Sequence, residues 1–178
     1  MAAHAPELAD LVRERGTVLP GAAEAIAALA MAGADGADAA ASAAGGEHGA
    51  RQVVQALLTG NIRPLAEVKL GALGLTGHLD LDVGAYGDVH ELRSQLVEPA
   101  RRKAALAYGA DFGGHATILV GDTPLDVEAA LVAGARAVGV ATGGFSAAEL
   151  TAAGAHAVLP DLTDTGRVLA AVLGPPLP

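Results

Sequence analysis

Two aspartates are the residues of this chain whose types and spacing point most clearly to chemistry. Asp122 follows a short apolar run, and Asp126 lies four residues later, in the first turn of a predicted helix that Pro124 opens. Two carboxylates held together at a helix start repel each other unless a cation neutralises them. Such hard oxygen ligands suit Mg²⁺, which keeps several of its waters. We therefore predict a metal site at Asp122 and Asp126, with a simple helix cap as the alternative.

A second polar group follows another apolar run. Thr59 offers a hydroxyl, Gly60 is small and Asn61 carries an amide, all at the start of a predicted helix. Free N–H groups and the helix dipole favour an anion at such a place, so a phosphate would fit there. The alternative is that Thr59 and Asn61 only cap the helix, as these residue types often do.

One arginine is the candidate for neutralising a bound anion. Arg93 is predicted at the start of its helix, beside the same edge of the sheet. Its permanent charge would stabilise phosphate oxygens and the charge that develops during a transfer. Lys103 is the rival, but it lies ten residues further along, about 15 Å down the helix. The alternative is that Arg93 is an ordinary solvated surface residue.

Short apolar runs alternate with helical patterns after residue 50, which predicts an α/β fold with a parallel sheet between helices. In such sheets ligands bind beyond the carboxyl ends of the strands, where the candidate residues lie. Ser146 and Glu149 have the spacing of a capping box at the start of one helix. The strand candidates are residues 53–58, 79–83, 118–120, 137–140 and 157–159.

The first fifty residues follow a different pattern. A short helix is predicted over residues 6–15, and a second helix begins at Pro20 and ends at Gly33. Residues 34–50 are rich in Ala, Gly and Asp and poor in large apolar groups. Such a composition does not offset the entropy of ordering, so we predict a flexible surface insertion there.

Composition excludes several classes of protein. The 178 residues carry a net charge of -9, so nucleic acid and anionic membranes are poor partners. The absence of cysteine excludes disulfides, thiolate metal sites and cysteine nucleophiles. Neither a signal peptide nor an apolar run long enough to span a membrane is evident. We expect a soluble cytoplasmic protein.

Three segments together resemble the haloacid dehalogenase (HAD) superfamily, specifically its phosphoglycolate-phosphatase-like branch. They are LPGAAEAIAAL at residues 19–29, LLTGN at 57–61 and, most specifically, ILVGDTPLDVEAALVAGARAVGVATG at 118–143. The resemblance covers most of residues 17–165. It implies a Rossmann-like parallel sheet and a Mg²⁺-dependent phosphatase that forms an aspartyl-phosphate on a small phosphorylated metabolite.

The resemblance also implies roles for individual residues. Thr59 would be the phosphate-binding hydroxyl with Asn61 beside it, and Arg93 would be the cation of the third motif. Asp122 and Asp126 would be the fourth-motif acids that hold or orient the metal. Many relatives have Lys-Pro at the third motif, whereas this chain has Arg93 followed by Ser94.

The chain departs from the family at its N-terminal side. Relatives begin with a strand that ends in D-x-D-G-T, whose first Asp is the nucleophile and whose second is the general acid and base. No such motif precedes Pro20. A displaced nucleophile at the D-x-D of Asp80 and Asp82 is the alternative, but this D-x-D comes after Thr59 and is followed by Val-Gly. The lost strand is central in the family, so its absence would leave two strands unpaired or force them to pair directly.

The expectation is therefore a core domain over residues 17–178, preceded at 1–16 by a remnant of a helical cap. A start codon assigned too late, or a truncated gene, is the simplest explanation. The chain as written is expected to be inactive, and the alternative is a non-catalytic phosphate- or metal-binding pseudoenzyme or regulatory fragment. Exposed sheet edges would favour an oligomer.

Overall fold

A computed structural model of the chain describes residues 5–42, 53–90 and 92–175. The helices are α1 (Ala5–Arg15), α2 (Ala22–Ser42), α3 (Arg63–Ala72), α4 (Val97–Tyr108), α5 (Pro124–Val132), α6 (Ala147–Ala152) and α7 (Thr165–Leu173). The strands are β1 (Leu58–Thr59), β2 (Ala85–Tyr86), β3 (Ile118–Gly121), β4 (Arg136–Val140) and β5 (Ala157–Leu159). One 3₁₀ turn, Arg93–Leu96, leads into α4, and a second spans Gly114–Ala116.

The strands form two parallel sheets. In one, β1 pairs with β2; in the other, β4 lies between β3 and β5. Helices connect successive strands, as parallel pairing requires. The predicted α/β class with parallel strands between helices is confirmed.

The three-stranded sheet lies between two layers of helices, and all five residues of β4 are buried. Val138 and Val140 face α2 and α7 in one apolar cluster. On the opposite face Ala137 packs with Val127 of α5 and Leu150 of α6. Because alternate residues of a strand point to opposite faces, the apolar run that follows Arg136 in β4 is typical of a sheet covered on both sides.

β1 and β3 are not paired with each other. No backbone hydrogen bond in the described ranges joins them. β1 is an edge strand paired with β2, and β3 is an edge strand paired with β4, so each has one unpaired edge in the described part of the chain. Of the two outcomes expected from the sequence, unpaired strand edges are therefore what the structure has. β3 is correspondingly open, and Val120 within it is 45% exposed.

The second predicted strand is displaced. Residues 79–83 form no strand, with a bend over residues 81–83, and β2 begins instead at Ala85. The reason is a side chain: Asp80 Oδ1 accepts from the backbone N–H of Asp82 at 2.9 Å and of Val83 at 3.4 Å. An aspartate that bonds to the backbone two residues on favours a turn over an extended strand.

The second helix also differs from the prediction, because α2 continues past Gly33 to Ser42. Alanine is the best helix former and one glycine costs only about 1 kcal/mol, so an alanine-rich stretch carries a helix through it. The remainder of the predicted flexible insertion, residues 43–50, lies outside the described residues. No helix in the described ranges is long and apolar enough to cross a membrane.

Candidate functional site

Asp126 is fixed by a capping box at the start of α5. Thr123 is the N-cap; Asp126 Oδ2 accepts from Thr123 N at 3.1 Å and Thr123 Oγ1 at 2.8 Å. The N–H of Asp126 donates in return to Thr123 Oγ1 at 3.4 Å. A Cβ at Gly121 would overlap the Asp126 carboxyl group, so glycine is what lets this carboxylate lie against the end of β3.

The other carboxylate oxygen of Asp126 accepts from Arg93. The Nη1 of Arg93 donates to Oδ1, and the two side chains are 33% and 16% exposed. Both oxygens of Asp126 are thus engaged by protein donors. A cation was expected to neutralise the two aspartates, and at Asp126 the guanidinium of Arg93 is that cation.

Asp122 is in a different situation. Its carboxylate has no hydrogen-bond or ion-pair partner within the described part of the chain, and the residue is half-buried. A Cβ at Gly143 would lie 2.7 Å from Asp122 Oδ2, so this carboxylate faces the loop after β4. In the same loop the Thr142 hydroxyl is buried and has no partner among the described residues.

These contacts define how the site fits a metal. The described residues hold no group of three His, Cys, Asp or Glu side chains around one point. Mg²⁺ is commonly held by one or two carboxylates together with waters and substrate phosphate. Asp122, whose oxygens have no partner among the described residues, could bind the metal directly. Asp126, whose two oxygens are both hydrogen-bonded, could instead orient neighbouring side chains.

Thr59 and Asn61 form a small network after β1. Thr59 Oγ1 accepts from Asn61 N at 3.2 Å and from Asn61 Nδ2 at 3.0 Å. The N-cap of α3 is Ile62, and no side chain caps this helix. The two polar residues therefore order the loop rather than cap α3. Pro64 carries no N–H and the Leu65 N–H donates to the Ile62 carbonyl at 3.1 Å, so in the first turn of α3 the Arg63 N–H is the one left for an anion.

Two further residues contact this loop and were not singled out from the sequence. Lys69 Nζ donates to Asn61 Oδ1 at 3.2 Å, which brings a second cation to the loop after β1. A Cβ at Gly87 would overlap the Gly60 carbonyl, so the loops after β1 and β2 touch through glycines. The only sequence signal for Lys69 is its position, two turns after Asn61.

The two candidate cations of the third motif lie apart, Arg93 in the turn before α4 and Lys103 in the middle of α4. Arg93 begins the 3₁₀ turn that precedes α4, and this turn packs against both β1 and α5. Lys103 donates instead to the carbonyl of Gly84 at 2.6 Å and lies over the ring of Tyr86 at 5.9 Å. Arg93 therefore connects the strand that carries Thr59 to the helix that carries Asp126, and Lys103 is bound at the start of β2.

The alternative D-x-D pair lies near the amino ends of the strands. The N–H of Asp80 donates to Gln55 O, four residues before Thr59, and Asp82 pairs with Arg63 at 2.6 Å. The Tyr108 hydroxyl donates to Asp80 Oδ2 at 2.6 Å. This bond is the main cause that lowers the pKa of Asp80, and it raises the pKa of Tyr108. Asp80 and Asp82 are thus each engaged by another side chain.

Comparison with known proteins shows a family likeness over part of the chain. Residues 94–165, which include α4, Asp122 and Asp126, match the family model described as HAD-hydrolase-like. This part of the chain is therefore similar to HAD-like hydrolases. No curated protein matches the chain significantly.

Two solved structures are similar to the chain. One is a predicted phosphatase from Clostridium acetobutylicum, 24% identical, with a TM-score of 0.51 over 65% of this chain and 52% of that chain. The other is a structural genomics target, 24% identical, with a TM-score of 0.45 over 66% of this chain and 37% of that one. The likeness to the first supports the α/β fold. The chain spans about half the length of that structure.

Proposed function

We propose that this HAD-like chain carries the phosphate- and magnesium-binding part of a phosphatase that acts on a small phosphate monoester. The observation that carries the proposal is the ion pair between Arg93 and Asp126. It holds Arg93 in the turn that packs against β1, which carries Thr59, and against α5, which follows Asp122. Fixed charges of both signs near one another are what binding a phosphate together with a divalent cation requires.

Each side chain has a part in this proposal. Thr59 and the Arg63 N–H at the start of α3 bind phosphate oxygens, and Arg93 and Lys69 balance their charge. Asp122 holds Mg²⁺, while Asp126 keeps Arg93 oriented. When bound, Mg²⁺ would neutralise further phosphate charge.

We further propose that residues 1–178 bind these ligands with little or no turnover. The family reaction needs a carboxylate nucleophile. The D-x-D acids of this chain, Asp80 and Asp82, are held by Tyr108 and Arg63. A regulatory pseudoenzyme would also bind these ligands without hydrolysis. The phosphatase fragment and the pseudoenzyme would use the same binding site.

Calorimetry with Mg²⁺ and inorganic phosphate, run beside an aryl phosphate assay, tests the proposal. We expect saturable phosphate binding that strengthens with Mg²⁺ and is lost in Asp122→Asn. Asp111→Asn, an exposed aspartate before β3, is the matched control and should bind as the parent does. Absence of binding by the parent contradicts the proposed site. Turnover by the parent contradicts the proposed inactivity, and its loss in Asp80→Asn or Asp82→Asn would then identify the displaced nucleophile.

A further inference from the structure

The loop after β4 carries a buried hydroxyl to which the proposed function gives no role. Thr142 lies just past the end of β4, and its Oγ1 is buried without a hydrogen-bond partner among the described residues. A hydroxyl that leaves water without gaining a partner costs free energy. A buried group left in this state calls for a specific explanation, and a role in binding a ligand is one.

Strand register places this hydroxyl beside the metal-binding candidate. Gly121 pairs with Gly139 in the parallel register of β3 and β4. Asp122 comes one position after the first of these glycines and Thr142 three positions after the second. Because alternate residues along a strand share a face, both side chains are placed on the same side of the sheet. The two loops are also in direct contact, since a Cβ at Gly143 would lie 2.7 Å from Asp122 Oδ2.

The other acidic groups that follow β3, β4 and β5 are already engaged. Each accepts a hydrogen bond from a nearby donor: Asp126 from Thr123 and Arg93, Glu149 from Ser146, Asp161 from Thr163, and Asp164 from the Arg167 N–H. Asp122 differs, because its carboxylate has no partner in the described part of the chain. An acceptor without a donor therefore contacts the loop that carries a donor without an acceptor.

We propose that Thr142 is a positioning residue of the metal site at Asp122. Its hydroxyl donates to Oδ2 of Asp122, the oxygen that faces the loop after β4, and so leaves Oδ1 directed at a divalent cation. The inference rests on the proposed function, since it concerns the same metal site. Carboxylates that hold a metal are themselves hydrogen-bonded, and loss of such a bond commonly weakens metal binding by about tenfold or more.

The mobility of the carboxylate allows this pairing. The terminal torsion of an aspartate turns over a broad range of angles, so the half-buried carboxylate of Asp122 can rotate toward Thr142. A cation held by one oxygen restricts that rotation. The bond from Thr142 then fixes the other oxygen, and the buried hydroxyl gains an acceptor.

Substitution of Thr142 by valine and by serine tests the inference. Thr142→Val keeps the branched shape and removes the hydroxyl, whereas Thr142→Ser keeps the hydroxyl. The probe is Mg²⁺ alone, titrated into the full chain by calorimetry. We expect Thr142→Val to weaken Mg²⁺ binding about tenfold or more and Thr142→Ser to retain it. Thr151→Val, at an exposed position of α6, is the matched control and should bind as the parent does.

Thermal unfolding provides a readout that a purely structural hydroxyl would move in the opposite direction. Without Mg²⁺, Thr142→Val should unfold at the midpoint of the parent or above it, because an unpaired buried polar atom is removed. At a fixed excess of Mg²⁺, the rise in midpoint should be smaller in Thr142→Val than in the parent, because this rise follows the affinity.

The outcomes separate this inference from the proposed function. Mg²⁺ binding by the parent that Thr142→Val leaves unchanged would overturn the inference alone. A lower midpoint of Thr142→Val without Mg²⁺, or its failure to fold, would overturn it by making the hydroxyl structural. Weakened binding by Thr142→Ser would overturn it by assigning the effect to the methyl group. Absence of Mg²⁺ binding by the parent would overturn the inference together with the proposed metal site.

Discussion

Arg93 and Asp126, 33 positions apart in the sequence, form an ion pair that joins the turn before α4 to the first turn of α5. Asp126 also closes the capping box with Thr123. Its neighbour Asp122 has no partner in the described part of the chain. The two aspartates look equivalent in the sequence but have different roles. Asp126 stabilises the structure, and Asp122 is available to bind a ligand.

This difference predicts opposite effects of the two substitutions. Asp126→Ala should lower the free energy of unfolding by about 1–3 kcal/mol, because a cap and a half-buried ion pair are lost together. Asp122→Ala should change it by less than about 0.5 kcal/mol and should abolish Mg²⁺ binding. Urea denaturation and calorimetry measure the two effects. Equal destabilisation by both substitutions would show that the aspartates share one role.

Substitutions of Arg93, Lys69 and Lys103 should weaken phosphate binding to different extents. Arg93→Met should weaken phosphate binding about tenfold or more, since a charged donor is removed from the site. Lys69→Met should weaken it less, because Lys69 acts through the loop of Asn61. Lys103→Met is the control and should bind normally, as Lys103 is engaged at Gly84. Loss of binding in Lys103→Met with retention in Arg93→Met would reverse the assignment.

Two glycines predict opposite shifts in stability. Gly121→Ala places a Cβ against the carboxyl group of Asp126 and should destabilise the chain by about 1–3 kcal/mol. Gly71→Ala lies in α3 with open space around the new Cβ, and should stabilise the chain by about 0.5–1 kcal/mol. Thermal unfolding of both variants checks this. An unchanged midpoint for Gly121→Ala would mean that Asp126 does not lie against β3.

The hydrogen bond from Tyr108 should control the titration of Asp80. Because this bond lowers the folded-state pKa of Asp80, the pair contributes stability above the ordinary aspartate pKa, and that stability is lost as pH falls through the lowered value. Tyr108→Phe should raise the pKa of Asp80 toward its ordinary value. Carbon-detected NMR titration measures it. Asp161, whose pKa is lowered by Thr163, should titrate unchanged in the same sample.

The sequence predicted those features that depend only on residues close together in the chain. The capping box of Ser146 and Glu149 is present as predicted, with the Ser146 N–H donating to Glu149 Oε2 at 2.8 Å. The predicted strands at β3, β4 and β5 are also confirmed, because apolar runs between glycine-rich turns leave little choice.

Errors and omissions arose where a distant residue or one side chain decides the outcome. The displacement of β2 depends on Asp80 bonding to the backbone after it. The pairing of Arg93 with Asp126, and of Lys69 with Asn61, depends on how helices meet in space, which periodicity does not encode. The different roles of Asp122 and Asp126 follow from the contact between Arg93 and Asp126.

The central claim is that the Thr59 loop and Asp122 belong to one phosphate- and metal-binding site. Paramagnetic Mn²⁺, used in place of Mg²⁺ with saturating phosphate, tests it most directly by selective broadening of amide NMR signals. We expect broadening of the signals of residues 59–61 and 121–123, and none around Asp80. Broadening centred on Asp80, or at residues 121–123 with residues 59–61 unaffected, would contradict the claim.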